Sequence, residues 1–328
     1  MRLSGGERRV VDGAPLDEQA QILLATALRL GRKRPEEVGV ARARAELAFD
    51  AGVLAPRPRQ MARIEDRTVG PFSLRLYVPP ACAKQRDAPA LLYIHGGGFV
   101  LGSVAAYDGV CRYLAVEAGC IVASLGYRLA PEHEFPAAVD DATAAFAWLS
   151  ASARELGIDP ARIAVGGDSA GGNLAAVVTQ QQRARGGPMP AFQLLVYPAT
   201  ELSCSMPSHR LFASGFFLEA TTVRWFLKNY LRGPEDIGDV RASPLLAQDF
   251  TGLPPAMVLT AGFDPLRDEG EAYVQKLEGA RVPVIHRHDA GMFHGYLSAA
   301  GELGVARDAL AHAARVLRNA LALRPRSA

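Results

Sequence analysis

Residues 167–171 read Gly167-Asp168-Ser169-Ala170-Gly171. They lie between an apolar run, Ile163 to Val165, and a small-residue segment, Gly172 to Val178. That is the setting in which a G-x-S-x-G turn joins a strand to a helix. A serine hydroxyl is a weak nucleophile until the backbone exposes it and a base takes its proton. A sharp turn does the exposing, and glycines on both sides let the chain bend with no Cβ to clash. The N-terminus of the following helix aims N–H groups at an anion formed beside the serine. The pentapeptide therefore points to nucleophilic acyl chemistry at Ser169. An ordinary glycine-rich turn reads the same way, so the other parts of such a site decide between the two.

Those parts are present. Upstream, Leu91 to Ile94 reads as a buried strand ending in His95-Gly96-Gly97-Gly98-Phe99. This has the form of an HGGG loop, whose bare N–H groups approach a ligand closely. With the N–H of Ala170, those of Gly97 and Gly98 make a candidate oxyanion hole. Downstream, Ala256 to Thr260 is another apolar strand, and Asp264-Pro265-Leu266 follows it closely. Val282 to His286 reads as a strand leading to Gly291-Met292-Phe293-His294-Gly295. The chain order Ser169, Asp264, His294 is that of α/β-hydrolases, with His294 as base and Asp264 as its orienting acid. Asp268, Glu269 and Asp289 are the rival acids. Asp168 is a poor one, because it would have to fold back across the turn.

Five ordered stretches carry a resemblance: HGGGF at 95–99, YRLAPEHEFPAAVDD at 127–141, GDSAGGNLA at 167–175, DPLRDEG at 264–270 and GMFHGY at 291–296. Together they resemble the hormone-sensitive-lipase-like (family IV) bacterial esterases, in the GDSAG form of the nucleophile motif. The resemblance spans roughly residues 10–320. It departs mildly at Phe293, where a β-branched apolar residue is more usual. It implies an α/β-hydrolase fold: a mostly parallel eight-stranded sheet flanked by helices, with a helical cap. It also implies carboxylic ester hydrolysis without metal or organic cofactor, and a homodimer.

The pattern along the chain agrees with an α/β fold. Asp17 to Leu30 and Glu36 to Ala51 read as two helices ahead of any strand, broken off by Pro56 and Pro58. Residues 63–69 and 72–78 alternate and read as a hairpin turning at Gly70-Pro71. Strands at Gly119 to Leu125, 162–166 and 191–197 then alternate with helices at 136–154 and 170–184, the βαβ rhythm of a parallel sheet. The rhythm stops between Ala199 and about Asp239 and resumes with the strands before Asp264 and His294. A final helix is expected from about Val305 to Leu323. The expected division is a cap in two parts, 1–58 and 199–239, over a hydrolase core made of 59–198 and 240–328. The interrupting stretch is rich in large apolar residues. Phe216, Phe217, Leu218 and Trp225, with Phe99, are the candidate walls of a substrate pocket. YRLAPEHEFPAAVDD reads as scaffold, stiffened by prolines, with charges that pair with one another. His286 and His288 alternate along one exposed strand edge.

The 328 residues are 49% apolar with a formal net charge of +2. Such a chain forms a large core and has no electrostatic footprint for nucleic acid. Cys82, Cys111, Cys120 and Cys204 show no zinc or C-x-x-C spacing. Free thiols and a cytoplasmic location are expected, with a Cys111–Cys120 disulfide as the less favoured alternative. The N-terminal MRLSGGERRVVDG lacks the apolar stretch of a signal peptide, and no run of about 18 apolar residues marks a membrane span. The chemistry expected is two-step acyl transfer on small-molecule esters of short to medium acyl chain. An amidase or a long-chain lipase would use the same residues. A non-catalytic ligand-binding protein on this fold would be expected to lose a triad member, and none is missing.

Overall fold

A computed structural model describes residues 9–11 and 13–322. The expectation of no signal peptide rests largely on residues 1–8 and 12, which lie outside the described residues, as does Leu323 at the end of the expected final helix. A short antiparallel ladder, β1 (Val10–Val11) with β2 (Ala14–Pro15), precedes α1 (Glu18–Arg29). Asp17 caps α1, its carboxylate accepting from the N–H groups of Gln19 and Ala20 at 2.9 and 3.1 Å. The second expected helix is two: α2 (Pro35–Val38) and α3 (Val40–Leu54). Gly39 between them has φ +80°, outside the helical region.

The hairpin forms over the expected residues, β3 (Arg63–Val69) and β4 (Phe72–Val78). Then follow β5 (Ala88–Ile94), α4 (Asp108–Ala118), β6 (Ile121–Gly126), α5 (Ala137–Ala151), β7 (Ile158–Asp168), α6 (Ala170–Arg185) and β8 (Gln193–Val196). Gly119, expected to open a strand, instead ends α4 in the left-handed conformation, so β6 starts two residues later. After the interruption, which holds α7 (Pro207–Leu211) and α8 (Ala220–Tyr230), come β9 (Ala256–Phe263), α9 (Arg267–Gly279), β10 (Val284–Phe293) and α10 (Gly304–Ala322).

The eight long strands form one sheet in the order β10-β9-β8-β7-β5-β6-β4-β3. Pairing is parallel from β10 through β6 and antiparallel from β6 to β3. Strands covered on both faces read as continuous apolar runs, and every residue of β9 is buried. The edge strand β3 is instead charged and mostly exposed, which discourages pairing with another chain. Alternate residues feed two cores. Leu92 and Ile94 point into one, with α5, α6 and α9; Leu91 and Tyr93 point into the other, with α4 and α10. All four cysteines are free, so Cys111 and Cys120 are not bridged. Among the described residues no helix is long and apolar enough to cross a membrane.

Candidate active site

The parallel strands end on one side, and the loops leaving β5, β7, β9 and β10 meet there. Ser169 follows β7 directly, at φ 55° and ψ −119°, a strained position for a residue with a Cβ. The strain falls on the serine and not on its glycines. Gly167 and Gly171 are absent from the left-handed region and are glycine for lack of space. A Cβ on either would lie 2.3 or 1.9 Å from the Ile94 carbonyl oxygen. The turn is thus pressed onto the end of β5, which brings the serine beside the HGGG loop.

Ser169 Oγ lies 2.8 Å from His294 Nε2, and His294 Nδ1 lies 2.7 Å from Asp264 Oδ2. Asp264 is fully buried, and its Oδ1 accepts the Leu266 N–H at 2.8 Å. The imidazole is therefore held from one side and faces the hydroxyl with the other nitrogen. The rival acids are engaged elsewhere. Asp268 accepts from Ser208 N and Arg267, Glu269 meets His209, and Asp289 meets Arg287 and Tyr296.

Gly97, Gly98 and Ala170 all border the cavity that contains Ser169. Gly97 and Gly98 sit at φ +113° and +61°. A Cβ on Gly97 would strike the Leu101 carbonyl, and one on Gly98 the Phe226 ring at 2.3 Å, so both positions demand glycine. Ala170 opens α6, and a first-turn N–H has no helical carbonyl to take it.

Two residues not singled out for this purpose hold the loop. Asp168 accepts from Tyr93 Oη and Gly96 N at 3.0 Å each and from Tyr107 Oη at 2.9 Å. It clamps the serine turn to the glycine loop, a role that its place inside the motif does not disclose. His95 is buried between Tyr107 and Tyr127, at ring-centroid distances of 5.5 and 4.5 Å. Burial lowers its pKa to about 4, so the ring is neutral and packs as an aromatic.

This burial has a pH signature. An unfolded imidazole titrates near about 6.5. Between that value and about 4 the unfolded chain binds a proton that folded His95 refuses. His95 therefore favours the folded state fully above about pH 6.5, and that contribution is lost as pH falls toward the folded value. The interval corresponds to about 3 kcal/mol. Asp168, raised to about 6 chiefly by burial, acts in the opposite sense over part of this range, so the total curve mixes the two. The difference between wild type and His95→Asn isolates the histidine. In urea unfolding, the advantage of the wild type should shrink by about 3 kcal/mol from neutral to acid pH. A difference that does not vary with pH would contradict the assignment.

The cavity measures about 450 Å³ and is mostly apolar. Phe99, Phe216, Phe217 and Leu218 line it, as does Phe293, whose ring lies 5.6 Å from that of Phe217. Trp225 does not, contrary to expectation. α8 turns Thr222, Val223, Phe226 and Leu227 to the cavity, which places Trp225 on its far side. There Trp225 packs against the core. The apolar residues of 216–226 marked a packed stretch, but not which of them face the cavity. The 127–141 stretch is scaffold: Arg128 pairs with Asp141 at 2.7 Å. Glu132, however, pairs with Arg44 of α3 and not within the stretch. His286 and His288 both reach Thr260 Oγ1 at 2.9 Å, away from the serine. Among the described residues no group of His, Cys, Asp and Glu is placed to hold a metal ion.

The chain is also similar to known proteins. Residues 91–298 match the family described as alpha/beta hydrolase fold. The chain is 43% identical over 279 residues to Esterase LipI of Mycobacterium tuberculosis, covering 80% of this chain and 87% of that one. It is 40% identical over 309 residues to Carboxylic ester hydrolase LipN of the same organism, covering 90% and 81%. The structure of ester-hydrolase EH1AB1, from the metagenome of Lake Arreo, superimposes with a TM-score of 0.90 at 41% identity, covering 94% of this chain and all of that one. The chain belongs to the α/β-hydrolase fold family, among its hormone-sensitive-lipase-like esterases, and is a carboxylic ester hydrolase.

Proposed function

We propose that the enzyme hydrolyses esters of short to medium acyl chain through an acyl-enzyme on Ser169. The observation that carries this is the unbroken line from Asp264 Oδ2 through His294 to Ser169 Oγ, at 2.7 and 2.8 Å, opening on a mostly apolar cavity. His294 takes the Ser169 proton as the hydroxyl attacks the ester carbonyl. The N–H groups of Gly97, Gly98 and Ala170 receive the oxyanion. His294 then protonates the leaving alcohol, and water repeats the sequence on the acyl-enzyme. Asp264 keeps the proton on Nδ1 and stabilises the imidazolium. The form of residues 167–171 supports the GDSAG branch of the family.

In this reading the described residues up to 58, with 199–239, form the cap, and 59–198 with 240–322 the core; the rest of the expected spans 1–58 and 240–328 lies outside the described residues. Two contacts support it: Thr222 Oγ1 donates to Glu36 at 2.9 Å, and Arg34 meets Glu219 at 3.1 Å. They join the two sequence-distant stretches over the cavity. The cap then sets acyl-chain preference. A panel of p-nitrophenyl esters of increasing length, run beside an anilide, tests this. Acetate should be turned over well, the anilide poorly. Alanine at Phe216, Leu218 or Phe226 should shift the preferred length by ~1–3 kcal/mol of discrimination while acetate changes less. An unchanged profile in all three would remove the cap from the specificity, and fast anilide cleavage would favour an amidase.

The free thiols support a cytoplasmic location, which cell fractionation tests. The outer side of β10 is a sheet edge, and it supports a homodimer joined along that strand. Light scattering should return twice the chain mass, and a monomer at micromolar concentration would reject it.

A further inference from the structure

The cavity beside Ser169 is mostly apolar, but its charge is one-sided. Seven carboxylates and three basic residues border it, although the chain as a whole carries a formal net charge of +2. A low-dielectric cleft lined by one sign of charge concentrates ions of the other. Six of the seven carboxylates are answered within the protein or by water. Asp50 pairs with Arg32, Glu46 with Arg42 and Glu219 with Arg34. Glu269 has the His209 ring at 2.8 Å. Asp168 accepts from Tyr93, Tyr107 and Gly96. Glu37 accepts the Arg34 N–H at 2.7 Å and is exposed.

Glu201 is the exception. It is 7% exposed and borders the same cavity as Ser169. Its oxygens accept from Ser203 alone, Oε1 from the N–H at 2.8 Å and Oε2 from the hydroxyl at 2.6 Å. Among the described residues no basic group pairs with it. An ionised carboxylate has about four acceptor sites, and two of these are filled. A buried carboxylate without a cation is costly, and a ligand that brings the cation relieves that cost. The segment carrying Glu201 is held in place. Ala199 N donates to the Ser169 carbonyl at 3.2 Å, Thr200 N to Glu269 at 2.8 Å and Leu202 N to Ser243 Oγ at 3.0 Å. Glu201 thus stands on a fixed strip that is bonded to the backbone of the nucleophile itself.

We propose that Glu201 is a specificity residue of this cavity and selects esters that carry an ammonium group. The apolar walls take the carbon skeleton of the ester, and the Glu201 carboxylate faces its cation. The ion loses water on entering, and the buried carboxylate replaces that water with a full opposite charge in a medium of low dielectric. An uncharged ester of the same shape gains the apolar contact and leaves Glu201 unanswered. That the selected ligands are substrates rests on the proposed function; their binding does not.

The test uses pairs of esters that differ by a quaternary nitrogen in place of a carbon. Acetylcholine against 3,3-dimethylbutyl acetate puts the cation in the alcohol. Betaine ethyl ester against ethyl 3,3-dimethylbutanoate puts it in the acyl part. The ammonium group also changes the reactivity of the carbonyl, so binding is measured by calorimetry on Ser169→Ala, which does not turn the esters over. In at least one pair the cationic ester should bind at least ~10-fold tighter than its neutral partner. Adding Glu201→Gln should remove most of that preference. Glutamine can keep both Ser203 hydrogen bonds, and circular dichroism checks the fold. In the wild-type enzyme the preference should appear in KM more than in kcat. It should largely persist at about 0.5 M salt, because a buried pair is screened little. No preference in either pair overturns the proposal. A preference that survives Glu201→Gln, or that vanishes in salt, belongs to the general field of the cavity and overturns the role of Glu201. If Glu201→Gln does not fold, the salt series decides alone. A preference in Ser169→Ala beside a wild type that hydrolyses no ester would contradict the proposed function and leave the cation site standing.

Discussion

Ser169→Ala should lose at least ~10⁴-fold in kcat, because nucleophile, base and orienting acid act as a unit. The folded structure should survive the change. Among the described residues the hydroxyl has one hydrogen bond, to His294 Nε2. The backbone bonds that hold the turn, Ser169 N to the Val196 carbonyl and Asn173 N to the Ser169 carbonyl, at 2.9 and 3.0 Å, do not involve it. Alanine tolerates the φ of 55° no worse than serine, since both carry a Cβ. Unfolding free energy should change by no more than about 1 kcal/mol. A complementary experiment treats the wild type with an organophosphate: one adduct is expected, on Ser169. Phosphorylation of another residue, or full activity in the alanine variant, would reject Ser169 as the nucleophile.

Asp264→Asn should cost about 10⁴-fold in kcat, the size of effect seen when the acid of a serine-protease triad is amidated. Here the hydrogen bonds dictate why. Asp264 Oδ1 accepts the Leu266 N–H, so an asparagine must place its carbonyl there and turn its amide NH₂ toward His294 Nδ1. That nitrogen then has to be an acceptor, and the ring proton moves to Nε2. An Nε2 that carries a proton cannot take another from Ser169. The imidazole is in place but in the wrong tautomer. Asp268→Asn and Asp289→Asn should be milder, because both carboxylates serve contacts remote from the imidazole. If Asp289→Asn proved the costlier, the acid would be misassigned.

What could be read from the sequence was what neighbours along the chain control. The period of two in 63–69 and 72–78, the apolar runs of the central strands and the glycines between them fixed the order of elements, because backbone geometry repeats locally. Ser169, Asp264 and His294 were legible for the same reason: each stands at the end of a strand, and parallel strands deliver their ends to one side. The break at Gly39 and the capping by Gly119 were missed, since a single left-handed glycine changes an element's bounds without altering its apolar pattern.

The rest was decided by residues far apart in sequence. The glycines around Ser169 looked like hinges, yet they are small because the Ile94 carbonyl lies where their Cβ atoms would be. Asp168 looked idle, yet it binds Tyr93, Tyr107 and Gly96. Phe226 and not Trp225 faces the cavity because packing of the cap sets the rotation of α8, and a run of aromatics carries no such phase. His209 and Glu269 are unremarkable where they stand in the chain, yet they meet at 2.8 Å. Only the fold closes the distance between α7 and the start of α9 and removes the water around them. Hydrogen bonding and desolvation there depend on which chain segments meet. By itself the sequence determined which residues end the strands; the packing of distant segments decided what surrounds them and hence their chemistry.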